Sequence, residues 1–170
     1  MSAPVPPVPQ RSPAASVSSA LAAGRVSFAV VDHEQLGEPV RSPLDVARVL
    51  GIEPDRLAKT LFVTEAPDHL HFALAVLPAL SKLRFTAVAD HLGWRRAVLA
   101  STEELAAHMG QPVFGVSPIG AAGIPVLLDR SLAGLPTILV GGGTAGIEIE
   151  LDPRSLVSLT AATLLDLRAR

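Results

Sequence analysis

The stretch VGGGTAGIEIEL, residues 140–151, sets three consecutive glycines between two apolar runs. Gly141, Gly143 and Gly146 have the spacing of a dinucleotide-binding turn, and in a doubly wound fold such a turn opens a helix. The residues that follow alternate instead: Ile147, Ile149 and Leu151 interleave with Glu148 and Glu150, the period-two pattern of a strand with one wet face. Strand, turn and strand exclude the dinucleotide site, and a P-loop is excluded as well because no Gly-Lys-Ser/Thr follows. Two readings of the glycines remain open: a plain hairpin turn, or a backbone cradle whose amides hold an anion or a carbonyl.

Working outward, PTILV (136–140) and PVLLD (125–129) read as strands, preceded by VFGVSPIG (113–120), which is either a connecting turn or a backbone-built binding loop. Ser101 and Glu104 have capping-box spacing and start a helix that ends at Gly110. RAVLA (96–100) is a short strand and FTAVADHLG (85–93) a short helix with a glycine stop. KTLFVTE (59–65) and LHFALAVL (70–77) form a hairpin across APDH. Ser42 and Pro43 open a helix closed by Gly51, with Leu44, Ala47, Val49 and Leu50 near one face. VSFAVV (26–31) is a strand, and Ser12 with Pro13 opens a helix over 13–23 that stops at Gly24. Asp152 and Pro153 cap a closing helix, with Thr160 a second start. Strands and helices interleave without regular strand-helix-strand spacing, so the expected class is α+β: a single domain with a mixed, curved, barrel-like sheet flanked by short helices.

At 170 residues and 49% hydrophobic the chain can build one core. Its net charge of -2 provides no global basic field for nucleic acid, and Arg84, Arg95 and Arg96 read as a solvated face. The absence of cysteine removes disulfides, thiolate metal sites and a cysteine nucleophile together. MSAPVPPVPQRSP has no apolar h-region, and residues 1–11 are expected to be a disordered Pro-rich tail, with a cytoplasmic location and no membrane span. Of 14 basic residues only Lys59 and Lys82 are lysines, which favours an amine role for one that is kept. Lys59, at the head of an apolar strand, is either snorkelling at a sheet end or a cationic donor in a cleft. The five histidines have no metal-ligand spacing, so neither metal nor cofactor is expected: His69 and His71 share a strand face with no carboxylate near them, and His91 and His108 lie near helix C-termini. His33, beside Asp32, is the histidine placed to enter a cleft. No G-x-S-x-G elbow surrounds Ser117, which disfavours it as a nucleophile.

The order Lys59-Thr60 on a strand, FGVSPIG, then VGGGTAGIEIEL before a capped helix resembles the YbaK-type aminoacyl-tRNA deacylases, relatives of the editing domain of bacterial prolyl-tRNA synthetases. The likeness covers residues 12–170, with LGIEPDRLAKT matching the approach to the family's lysine. It implies hydrolysis of the ester between a small amino acid and a mischarged tRNA, above all Cys-tRNA(Pro), with prolyl-tRNA synthetase as a further partner. The alternative is a non-catalytic module that binds an aminoacyl-adenosine or a nucleotide and recruits a synthetase. The resemblance implies Lys59 as the catalytic cation, and His33, Phe114, Gly115, Ser117, Pro118, Gly120, Asp129, Gly141, Gly142 and Gly143 as substrate-binding residues. Water or a group of the substrate would be the nucleophile, with backbone amides of 115–120 and 141–143 holding the carbonyl and ribose. Three departures bear on specificity: Phe114 replaces the loop's first glycine, Thr144 and Ala145 stand where the family is often basic, and His33 falls where some members carry tyrosine.

Overall fold

Alternating burial on a central hairpin organises the molecule. The computed structural model describes residues 11–170, so the expected tail lies outside the described residues except for Arg11. In chain order the elements are α1 (Ala15–Gly24), β1 (Phe28–Asp32), α2 (Pro43–Leu50), β2 (Ala58–Glu65), β3 (Phe72–Pro78), α3 (Phe85–Leu92), β4 (Ala97–Leu99), α4 (Thr102–Met109), β5 (Val126–Asp129), β6 (Ile138–Gly141), β7 (Ile147–Leu151), α5 (Pro153–Thr160) and β8 (Thr163–Leu165). A five-stranded sheet has the order β4-β2-β3-β5-β8, and a three-stranded sheet the order β1-β7-β6. Strands β3, β5 and β8 pair in parallel while the other pairs are antiparallel, so the larger sheet is mixed, as expected. The two sheets do not close into a barrel.

Successive side chains of a strand leave on opposite faces, and β3 is buried on both. Leu74 and Val76 join Ala58, Phe62, Val126 and Leu128 against the smaller sheet's Val140 and Ile149 and against Val17, Leu21 and Leu156 of the terminal helices. Ala73, Ala75 and Leu77 face the other way, onto Val88 and Ala89 of α3. On the outer face of the smaller sheet, Leu139 packs with Leu57 and with Val46 and Ala47 of α2. That contact decides where the site forms. An isolated parallel bridge, Leu57 to Leu139, joins the approach to β2 to the middle of β6 and so brings Lys59 beside the glycine segment.

The capping box of α4 and the Ser42-Pro43 start and Gly51 stop of α2 form as the sequence predicts. Four local expectations do not hold. Helix α1 starts at Ala15 without a side-chain cap, because the segment before it is drawn onto the glycine turn: the Ala14 amide donates to Gly142 O at 2.9 Å and the Thr144 hydroxyl to Ser12 O at 3.1 Å. Gly24 is helical, with the left-handed turn falling on Arg25 (φ 52°); a Cβ on Gly24 would displace the end of the Leu159 side chain of α5. Helix α2 buries Val46 and Ala47 and leaves Leu44 53% exposed. Thr160 starts no second helix: its hydroxyl bonds back to Leu156 O at 2.7 Å, and the chain then turns into β8 beside β5. Among the described residues no helix is long and apolar enough to cross a membrane.

Candidate functional site

A cavity of about 530 Å³ opens where β2, β6, the start of α2 and the 113–116 loop meet. Lys59, His33, Phe114, Gly115, Gly141 and Glu148 all line it. Lys59 is half-buried, and burial pushes its ammonium below the ordinary lysine value. Among the described residues it has no ion-pair partner, so its charge is uncompensated by protein. A half-buried cation left in this way favours an anionic or strongly dipolar occupant.

The glycines act chiefly as spacers. A Cβ on Gly141 would collide with the Val116 carbonyl, and one on Gly115 (φ 109°) would stand 2.6 Å from Thr144 O. The Gly143 amide donates to Gly115 O at 2.7 Å and the Gly142 amide to Ile147 O at 2.8 Å, so neither is free to receive an oxyanion. The expectation that the 141–143 amides form an open cradle therefore fails for two of the three. By contrast, among the described residues the amides of Gly115 and Val116 have no protein acceptor, and both residues line the cavity. Val113 and Phe114 stand at its mouth, 52% and 81% exposed.

The other sequence-selected residues lie elsewhere. Ser117 is fully buried, its amide donating to Gln111 Oε1 at 2.9 Å and its hydroxyl oxygen accepting from the Ile119 amide at 3.1 Å. Pro118 and Gly120 line a separate, larger cavity beside Ser16 and Ala20 of α1. Asp129 caps the turn after β5 through the Ser131 amide at 3.0 Å, accepts from the Leu167 amide at 2.8 Å and pairs with Arg168 at 3.3 Å. Ser117 and Asp129 are thus engaged in holding the fold. His69 and His71 are not on a strand and do have carboxylates, Glu104 at 2.6 Å and Glu65 at 2.8 Å. Among the described residues no group of three or more metal-ligating side chains gathers.

Sequence reasoning missed three features. Glu148, placed by alternation on a wet face, instead meets His33 Nε2 at 3.0 Å, with its side chain only 16% exposed. Arg11, assigned to the tail, forms a fork on the buried Asp32 carboxylate (2.7 and 3.2 Å) and donates to Ala145 O at 3.0 Å. The Arg11 guanidinium, assisted by the Glu34 and Arg11 amides, holds the Asp32 carboxyl down at about 2 despite its desolvation. Finally, Thr60 lines the cavity with a buried hydroxyl that has no hydrogen-bond partner.

A family profile described as the aminoacyl-tRNA editing domain matches residues 37–159. The chain belongs to the aminoacyl-tRNA editing domain family. A relative named as the Cys-tRNA(Pro)/Cys-tRNA(Cys) deacylase EbsC of Enterococcus faecalis is 32% identical over 116 residues, covering 68% of this chain and 70% of that protein. The proline–tRNA ligase of Moorella thermoacetica is 33% identical over 105 residues, covering 62% of this chain but only 18% of the ligase. A solved structure described as a trans-editing enzyme for prolyl tRNA synthetase superposes with a TM-score of 0.76 at 23% identity, over 91% of this chain and 96% of the other, which establishes the shared fold. Within the editing-domain family, the matched segment spans the lysine, the Gly115 loop and the glycine turn, and excludes Arg11 and His33.

Proposed function

We propose that this editing domain is a trans-acting deacylase that hydrolyses the ester of a mischarged tRNA, with Cys-tRNA(Pro) or another small amino acid on tRNA(Pro) as substrate. The observation that carries the reading is the pairing, in one cavity, of the uncompensated Lys59 ammonium with the two uncommitted amides of Gly115 and Val116. Ester hydrolysis needs a stabilised oxyanion, and such donors are worth most when they are fixed before the charge develops. Lys59 anchors the terminal ribose or phosphate and orients the ester, the Gly115 loop receives the carbonyl oxygen, and His33 and Phe114 border the amino-acid side. Prolyl-tRNA synthetase is the proposed partner that presents the tRNA, and the cytoplasm the proposed compartment.

Deacylation of cysteinyl-, alanyl- and seryl-tRNA(Pro) tests this, with Lys59→Ala alongside. Loss of one well-placed donor is expected to lower the rate by about a hundred- to a thousandfold. A variant that matches the parent on the substrate cleaved removes Lys59 from the mechanism. Tight binding of a non-hydrolysable aminoacyl-adenosine analogue, with no turnover of any charged tRNA, selects the non-catalytic module instead.

A further inference from the structure

His33 is the first residue of the 3-10 turn that follows β1, and its amide donates to Gly146 O at 2.9 Å, which fixes the residue against the glycine turn. Register places Val31 opposite Glu148, so the Glu148 side chain rises from β7 directly beside the turn that carries His33. His33 Nε2 and Glu148 Oε2 are 3.0 Å apart, with side chains 26% and 16% exposed, and both residues line the cavity that holds Lys59. A neutral imidazole that donates from Nε2 to a carboxylate keeps its lone pair on Nδ1. Among the described residues Nδ1 has no protein partner.

The charges around the ring come from every neighbouring element. Glu148 arrives from β7, Lys59 from β2 and Arg41 from the segment ahead of α2, all three lining the cavity. Asp32 and Glu34 flank His33 in sequence, but both are paired with Arg11, at 2.7 and 3.4 Å. Glu148 is thus the carboxylate engaged with the ring. A carboxylate that holds one nitrogen of an imidazole lining a cleft, and leaves the other without a protein partner, is the orienting arrangement of an acid–base histidine.

We propose that His33, oriented by Glu148, is the general base that activates water for ester hydrolysis, a role that rests on the deacylase reading. Nδ1 takes a proton from water as the water oxygen bonds to the ester carbonyl carbon. The carbonyl electron pair moves onto the oxygen facing the Gly115 loop. When that oxyanion collapses, the bond from carbon to the ribose oxygen breaks and the leaving oxygen takes the proton from Nδ1. The free amino acid and the tRNA hydroxyl are released, and the imidazole is again neutral. A base supplied by the protein makes a nucleophilic side chain on the substrate unnecessary.

The experiment is single-turnover hydrolysis of alanyl- and cysteinyl-tRNA(Pro) against pH. The parent is expected to cleave alanyl-tRNA with a rate that falls on the acid side as one proton binds. His33→Gln, which keeps a hydrogen-bonding side chain beside Glu148, should lose about a hundred- to ten-thousandfold in rate on alanyl-tRNA with KM little changed, and should lose the acid limb. Glu148→Gln, a positioning change, should give a smaller loss in kcat with KM little changed. Retention of the parental rate and acid limb by His33→Gln, while Lys59→Ala fails, overturns the base assignment and leaves the deacylase reading standing. So does a parent that cleaves cysteinyl- but not alanyl-tRNA. A parent that cleaves no charged tRNA overturns both.

Discussion

Gly115→Ala puts a methyl group between the cavity loop and the Thr144 backbone. Gly115 has φ 109°, where an L side chain is strained by about 1–3 kcal/mol. The new Cβ would also lie 2.6 Å from Thr144 O, whereas ordinary contact begins at 3.4 Å, so one of the two backbones must retreat by about 0.8 Å. Thr144 is poorly placed to move: its carbonyl accepts from the Ile147 amide at 3.1 Å and its hydroxyl is tied to Ser12 O. The Gly115 loop yields instead, carrying the two uncommitted amides with it. A displacement near 1 Å in a positioning group costs on the order of a hundredfold in rate. Gly123→Ala supplies the control, because Gly123 also has positive φ (78°) but a Cβ there meets nothing within 4 Å. Urea unfolding should show the larger stability loss for Gly115→Ala, because the clash adds to the positive-φ strain that the two variants share. Deacylation kcat/KM on the preferred charged tRNA should fall about a hundredfold for Gly115→Ala alone. Equal activity in the two variants would refute the idea that this loop positions the ester.

Thr60→Val replaces a buried hydroxyl that has no partner by an apolar group of the same shape, and should raise stability by about 1 kcal/mol in urea unfolding; a loss would mean that the hydroxyl is satisfied in solution. Arg11→Ala leaves the buried Asp32 carboxylate without its fork and should cost about 1–3 kcal/mol at neutral pH. Asp32 is held at about 2 against an ordinary 3.8, so the stability it contributes is fully present above pH 4 and is lost as pH falls through about 2. The gap between parent and Arg11→Ala should close over that window, and a gap unchanged down to pH 2 would assign the stabilisation to another group.

Lys59 and the two glycine segments were legible because their order along the chain is distinctive, and the structure brings Lys59, Gly115 and Gly141 to one cavity. The role of the glycines was not legible. Whether a glycine amide is free depends on who accepts from it, and the acceptors of Gly142 and Gly143 are Ile147 and Gly115, the latter 28 positions upstream of Gly143. Alternation assigned Glu148 to the face away from Ile147 and Ile149, which is correct, but alternation cannot say what covers that face. Here His33 covers it. The same limit hid the partners of His69 and His71, one of which comes from α4, and the anchoring of Arg11 by Asp32. Strand β8 is three residues long, too short to show a period, and exists because β5 offers it an edge.

These placements bear on how a chain of net charge -2 would suit the polyanionic substrate proposed for it. The cavity is lined by Lys59 and Arg41 against a single carboxylate, Glu148, which is engaged with His33. The local balance is therefore cationic although the surface as a whole is not, and low-dielectric walls strengthen such a field inside a cleft while solvent screens it outside. A site of this kind attracts the charged 3' end that must enter it and little of the remaining duplex. On the proposed deacylase reading few phosphates are neutralised, so counterion release contributes little to affinity, and the synthetase proposed as partner is what delivers the tRNA body.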